Sequence, residues 1–198
     1  MYCPVHFKMA PERYEDFITR FPLALLIHPH ELCVSHCPLI YLKDSHQLAG
    51  HLAKGNPILS AFSDSPELKI VFNGHQGYVS ASWYTTDTEV PTWNYSSLEV
   101  VGKVVLTSNA QTLEILTRQN EQFEASVNEH WQIEKLPEAK RNAMLNAIQG
   151  FTITIDNWQG KAKLSQNKND KELTSVREHM RKRDYWPYPE LLGDIEHG

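Results

Sequence analysis

Apolar and polar positions change period several times along the chain, and each change predicts an element. Pro11-Glu12 opens a short helix with Tyr14, Phe17, Ile18 and Phe21 along one face, and Pro22 stops it. Residues 23–28 read as a buried strand, reversed at Pro29-His30-Glu31 into a second strand over about 34–42. Residues 47–54 read as a helical turn. Asn56-Pro57 then supplies a cap and a first-position proline for another short turn. Val, Ile, Tyr, Trp and Thr mark strands over 68–72, 78–82 and 90–106, with Gly74 and Gly77 bracketing a tight hairpin between the first two. A helix from Ser108 or Asn109 carries Leu113, Leu116, Phe123 and Val127 as an apolar stripe, and another covers about 138–147. Residues 151–155 alternate as a strand, 156–160 turn it back through 161–164, and a charged helix closes the pattern over about 170–183.

Two strand groups separated by helices, with most strands next to their sequence neighbours, imply a mainly β (α+β) fold: a small antiparallel barrel with peripheral helices. No Gly-x-Gly-x-x-Gly follows a strand, which argues against a Rossmann nucleotide site. The 198 residues suit one domain, 1–183, with the basic helix 169–183 as its last element and a tail over 184–198. The longest aliphatic run, 23–27, is far too short to cross a bilayer. The first residues have neither a basic nor an apolar leader region, and three cysteines do not make a disulfide framework, so a cytoplasmic protein without membrane contact is expected. Charge refines the picture. The chain carries -5 overall, yet residues 161–183 hold eight Lys/Arg against three acids, +5, leaving -10 elsewhere. A basic segment on an acidic body suggests an anion or an acidic partner, and a solvated helix face is the competing reading.

Four constellations could carry chemistry. In Gly50-His51-Leu52-Ala53-Lys54-Gly55-Asn56-Pro57, a His and a Lys three apart on a helical turn, beside amides at a helix start, could cradle phosphate; an exposed turn is the simpler account. Ser80, Ser82, Trp83, Trp93 and Asn94 gather aromatic rings and hydrogen-bonding groups on neighbouring strands, which suits either a pocket for a flat polar ring or a core. Lys161, Lys163 and Ser165 share one strand face, where two cations call for an anion, unless they guard a solvated edge. His28, His30, Cys33, His36 and Cys37 invite a metal reading, but alternation scatters them over two faces, and no metal site is expected.

Taken in order, these segments resemble one family. Met1-Tyr2-x-Pro4-x-His6-Phe7, Phe21-Pro22-Leu23-Ala24, His36-x-Pro38-Leu39, Gly50-His51-Leu52-Ala53 and Asn56-Pro57 resemble the PaiB family. Phe72-x-Gly74, Tyr78-x-Ser80-x-Ser82-Trp83-Tyr84, Val90-Pro91-Thr92-Trp93-Asn94-Tyr95 and Lys163-Leu164-Ser165-Gln166-Asn167 extend the likeness to about residue 183. The resemblance implies an antiparallel split β-barrel of the FMN-binding type, a homodimer with FMN across its interface, and a negative transcriptional regulator. It implies phosphate near His51, Lys54, Lys163 and Ser165, and the ring against Ser80, Ser82, Trp83, Trp93 and Asn94, with Gln166 offering a hydrogen bond. Lys54 stands where the family often has Arg, and Ala81 where it usually has Pro. Contact with DNA would fall to Arg177, Arg181, Lys182 and Arg183. The alternatives are an FMN-dependent oxidoreductase using NAD(P)H, for which no acid or base stands out, and a haem-binding barrel using one of His6, His28, His36, His51 or His75.

Overall fold

The computed structural model describes residues 1–86 and 88–182, so Arg183 and the tail 184–198 lie outside the described residues. Its elements in chain order are α1 (Tyr14–Arg20), β1 (Leu23–Ile27), β2 (Val34–Pro38), β3 (Ile40–Leu42), β4 (Gln47–Ala53), α2 (Ile58–Asp64), β5 (Glu67–Val79), β6 (Thr92–Leu106), α3 (Asn109–Ser126), α4 (Glu138–Ala147), β7 (Ile148–Lys163) and α5 (Asp170–Arg181). The seven strands form one sheet in the order β2-β1-β5-β6-β7-β4-β3. β1 pairs antiparallel with β2 and β5, and β4 pairs antiparallel with β3 and β7. No helix of the described residues is long and apolar enough to cross a membrane.

The chain forms two compact units. The larger holds Arg13–Phe72 and Glu99–Trp158; the other holds Met1–Glu12, Asn73–Leu98 and the described residues from Gln159 onward. The larger unit buries Ile18, Leu26, Leu39, Leu48, Ile58, Leu68, Ile70, Phe72, Phe151 and Ile153 almost completely. Each such side chain contributes about 1.5–3 kcal/mol relative to exposure, so this core dominates the unit's stability. The smaller unit closes α5 over Val79, Trp83, Tyr84 and Leu164 through Val176 and Met180.

Helix ends follow local chemistry. Ser108 caps α3: its Oγ accepts from Gln111 N at 3.3 Å while Gln111 Oε1 accepts from Ser108 N at 3.0 Å. Asn169 caps α5 by accepting from Glu172 N at 3.0 Å. The face that α3 buries is Thr112, Ile115 and Gln119, whereas Val127 is exposed. Of the stripe read from the sequence, Leu113, Leu116 and Phe123 are half-buried, Phe123 against Ile40, Ala49 and Ile115, while buried Thr112 and Gln119 find hydrogen-bond partners and occupy the innermost positions.

Three sequence expectations are corrected. Residues 47–54 are not a helical turn: Gln47–Ala53 is β4, hydrogen-bonded to a strand on each side. Seven residues are too few for periodicity to separate helix from strand, and Gly50 earns its place by packing, since a Cβ there would lie 2.5 Å from Leu39 Cδ2. Gly74 and Gly77 do not bracket a hairpin; β5 runs through them, and no described glycine has positive φ. Burial falls on Leu68, Ile70 and Phe72, then on Gly77 and Val79, so the alternation slips by one residue, as at a β-bulge. Residues 156–160 likewise stay within β7, with Asp156 and Asn157 both exposed where its alternation slips. Turn-forming residues here serve irregularities inside long strands.

Candidate functional site

The C-terminal end of β7 and the N-terminal end of β6 build a cleft of about 150 Å³ within the smaller unit. Lys163, Ser165, Asn167 and Lys168 line one side; Thr92, Asn94, Glu89, Val90, Tyr84 and Phe7 complete it. Lys163 is the last residue of β7, and its Nζ donates to Thr92 Oγ1 and, at 2.7 Å, to the Trp93 carbonyl. An ammonium has three protons to donate, so among the described residues one is left for a ligand. Burial, and after it the positive charge of Lys161, hold the Lys163 ammonium below the ordinary lysine range. Lys161 itself is buried, donating to the Tyr2 carbonyl at 3.1 Å with its Nζ 5.1 Å from the Tyr95 ring centre. This corner therefore holds two cations close enough to disfavour one another, an arrangement that an anion would relieve.

Beyond Lys163 the chain leaves the strand, and Ser165 takes a left-handed backbone with φ 64°. A non-glycine residue held there costs about 1–3 kcal/mol. Asn94 provides the restraint: its Nδ2 donates to Ser165 Oγ at 2.8 Å, the Ser165 hydroxyl is 3.1 Å from Asn94 Oδ1, and both residues are buried. The Ser165 carbonyl accepts from Lys168 N at 2.9 Å, and Gln166 Oε1 accepts from Leu164 N at 2.7 Å. Gln166 thus closes the turn with its side chain. Asn94 and Ser165 hold the turn that carries Asn167 and Lys168 to the cleft.

The other expected residues divide. Trp93 is 52% exposed, with its ring 6.1 Å from that of Tyr78, so a flat apolar surface is available. Ser80 and Ser82 hydrogen-bond one another at 2.8 Å, with Ser80 capping the turn Ala81–Trp83. Trp83 belongs to the core, stacked on His179 at 5.4 Å. His51 and Lys54 lie in the other unit. His51 Nδ1 is 2.9 Å from Gln119 Oε1, whose amide donates to the Pro38 carbonyl at 2.8 Å, and Lys54 is exposed in the turn after β4. The helical argument that paired them fails because residues three apart near a strand do not share a face. Of the basic helix, Arg181 and Lys182 are exposed and Arg177 is half-buried.

Two of the histidines and cysteines near β1 and β2, His28 and Cys37, are held by structural contacts. His28 is fully buried, with Nε2 2.9 Å from the Ser65 carbonyl and Nδ1 accepting from Glu31 N at 3.2 Å. Cys37 donates to the His51 carbonyl at 3.2 Å, and burial pushes its thiol up to about 12.

Sequence reasoning did not assign Thr92, Tyr84, Glu89, Asn167 or Lys168 to the site. Thr92 adjoins Trp93-Asn94 and Lys168 ends the lysine-rich segment, so both carried a signal. Glu89 carried none, because an acid in a turn is ordinary.

Residues 1–157 match the family model described as "Putative FMN-binding domain". The chain is 30% identical over 185 residues to the protease synthase and sporulation protein PAI 2 of Bacillus subtilis, covering 91% of this chain and 89% of that one. The fold resembles the FAD and heme binding protein from Mycobacterium smegmatis, with TM-score 0.61 and 17% identity over 84% of this chain and 78% of that one. It also resembles the flavocytochrome Anf3 from Azotobacter vinelandii, with TM-score 0.59 and 13% identity over 84% and 73%. The antiparallel sheet, the order of its strands and these matches agree: the chain belongs to the split-barrel FMN-binding domain family that includes PAI 2, the PaiB protein.

Proposed function

We propose that this protein binds FMN, with the phosphate seated in the cleft at Lys163 and the ring system against the exposed Trp93 and Tyr78, and that it acts as a flavin-linked transcriptional regulator. The observation that carries the flavin reading is the Lys163 ammonium. It is partly withdrawn from water, fixed by two acceptors, and keeps one proton for an anion. The residues fit the group: lysine, Asn167 and Thr92 at the phosphate end, and buried Phe7 to limit water. Asn94 and Ser165 act by positioning, since they hold the left-handed turn. Bound flavin would supply electron transfer that the side chains cannot. The reading does not depend on His51 or Lys54.

A homodimer is part of this reading. Val101, Val105 and Leu106 of β6 are exposed, on a strand with sheet neighbours on both sides, and a second copy would cover them. The test is a titration of the purified protein with FMN, followed by flavin fluorescence, with riboflavin as the phosphate-free control. Saturable FMN binding that weakens about tenfold or more in Lys163→Met, with riboflavin unchanged, is expected, because a hydrogen bond to a charged group contributes about 1.5–3 kcal/mol. Absence of FMN binding to the native sequence would discard the flavin reading. A monomeric mass at sedimentation equilibrium would discard the dimer.

A further inference from the structure

The cleft contains an acid that an anion site should not contain. Glu89 lines it, and its Oε2 accepts from Lys168 Nζ in an ion pair whose side chains are only 23% and 20% exposed. The Lys168 Nζ also lies 5.1 Å from the Tyr84 ring centre, so its stem and head are held over the cleft wall. A carboxylate beside a phosphate repels it, and repulsion in a partly desolvated cleft is stronger than in water. We propose that Glu89 is an internal stand-in for the ligand's anion: it pairs with Lys168 in the absence of ligand, and a phosphate monoester displaces it and takes Lys168 as a second cation beside Lys163.

Three features support the exchange. Lys168 sits at the end of the turn that begins at the strained Ser165, and its backbone N donates to the Ser165 carbonyl at 2.9 Å, so its position is tied to the cleft floor. Glu89 belongs to no helix or strand, and its neighbours Thr88 and Val90 are exposed, so no strand or helix pairing has to break for the carboxylate to leave. Lys163 and Lys168 each line the cleft, so a dianion between them gains two charge-assisted contacts where Glu89 gives one. The cleft would then select a phosphate-bearing flavin over its dephosphorylated form, with the loop at 88–91 moving as it loads.

This inference rests on the flavin reading, and its test separates the two. FMN and riboflavin are titrated against the native sequence, Glu89→Gln, Lys168→Met and the double variant, with thermal melting to confirm that each folds. Glu89→Gln keeps shape and removes charge, so FMN should bind about three- to tenfold more tightly with riboflavin unchanged. Lys168→Met should bind FMN about tenfold more weakly, and the gain from Glu89→Gln should vanish in the double variant, because the two residues act as a pair. If the native protein binds FMN and Glu89→Gln binds it no more tightly, or if the gain survives without Lys168, the displacement is overturned and the flavin reading stands. If the native protein binds no FMN, both fall.

Discussion

At the scale of single residues, the protonation of Lys163 should control anion binding. Its free ammonium loses its proton below the ordinary lysine value of about 10.4, because burial and Lys161 disfavour the charge. A phosphate favours that charge, so the bound form holds the proton to higher pH than the free form. From pH 7, where the phosphate is already largely a dianion, affinity is therefore constant up to the lowered value and falls as pH rises through it, by up to about tenfold per unit, until the bound form also deprotonates. The ratio of FMN to riboflavin affinity, measured from pH 7 upward, isolates this effect because the two share a ring. A ratio that stays flat until the ordinary lysine range would mean that Lys163 does not meet the phosphate. How much of the site was legible follows the same chemistry. Lys161, Lys163, Ser165 and Asn94 were legible as two cations, a hydroxyl and an amide in unusual company. Their roles were not, because the left-handed backbone at Ser165 and the bond from Asn94, 71 positions away, exist only once the strands meet. Trp83 misled for the opposite reason: a tryptophan beside serines can wall a pocket or fill a core, and only its stacking on His179 decides for the core.

At the scale of elements, strands bounded by strong signals were read well and strands with interruptions were not. The β1–β2 reversal around Pro29-His30-Glu31 and the helix Glu138–Ala147 lie where the pattern put them. β4, β5 and β7 departed from it because glycines and polar pairs inside a strand imitate turns when packing is unseen. Glycine illustrates the point in a testable way. A Cβ on Gly102 would lie 2.3 Å from the Thr154 carbonyl oxygen, a backbone atom that cannot retreat without parting β6 from β7. Gly55, in the turn after β4, has nothing within 4 Å and no positive φ. Gly102→Ala should therefore destabilise by about 1–3 kcal/mol, the usual cost of overpacking. Gly55→Ala should be neutral or should stabilise by up to about 1 kcal/mol by restricting the unfolded chain. Urea unfolding of the two variants beside the native protein reads both. Equal midpoints for the two variants would mean that the close strand approach at Gly102 has been misjudged.

At the scale of the molecule, the question is where the basic charge is spent. Eight Lys/Arg crowd residues 161–183 of a chain whose net charge is -5, and sequence alone could not say whether they serve one ligand or two. The fold divides them. Lys161, Lys163 and Lys168 are committed at or beside the cleft, Arg177 is half-buried, and Arg183 lies outside the described residues. Lys171, Arg181 and Lys182 remain exposed on or just past α5, the last two at its C-terminal end, where the helix dipole already favours cations. If that end contacts DNA, two cations per protomer set the scale. The slope of log affinity against log salt should then be about -2 per protomer, or about -4 for a dimer, since each neutralised phosphate contributes about -0.9. Reversing both charges, Arg181→Glu with Lys182→Glu, should abolish retention of duplex DNA in a gel while leaving FMN affinity as it was. DNA retention that survives the reversal would remove α5 as the contact and leave Arg181 and Lys182 as a helix terminus satisfied by its own dipole. A flat salt dependence would argue against a phosphate-mediated complex anywhere on the acidic body, and regulation would then have to pass through a protein partner.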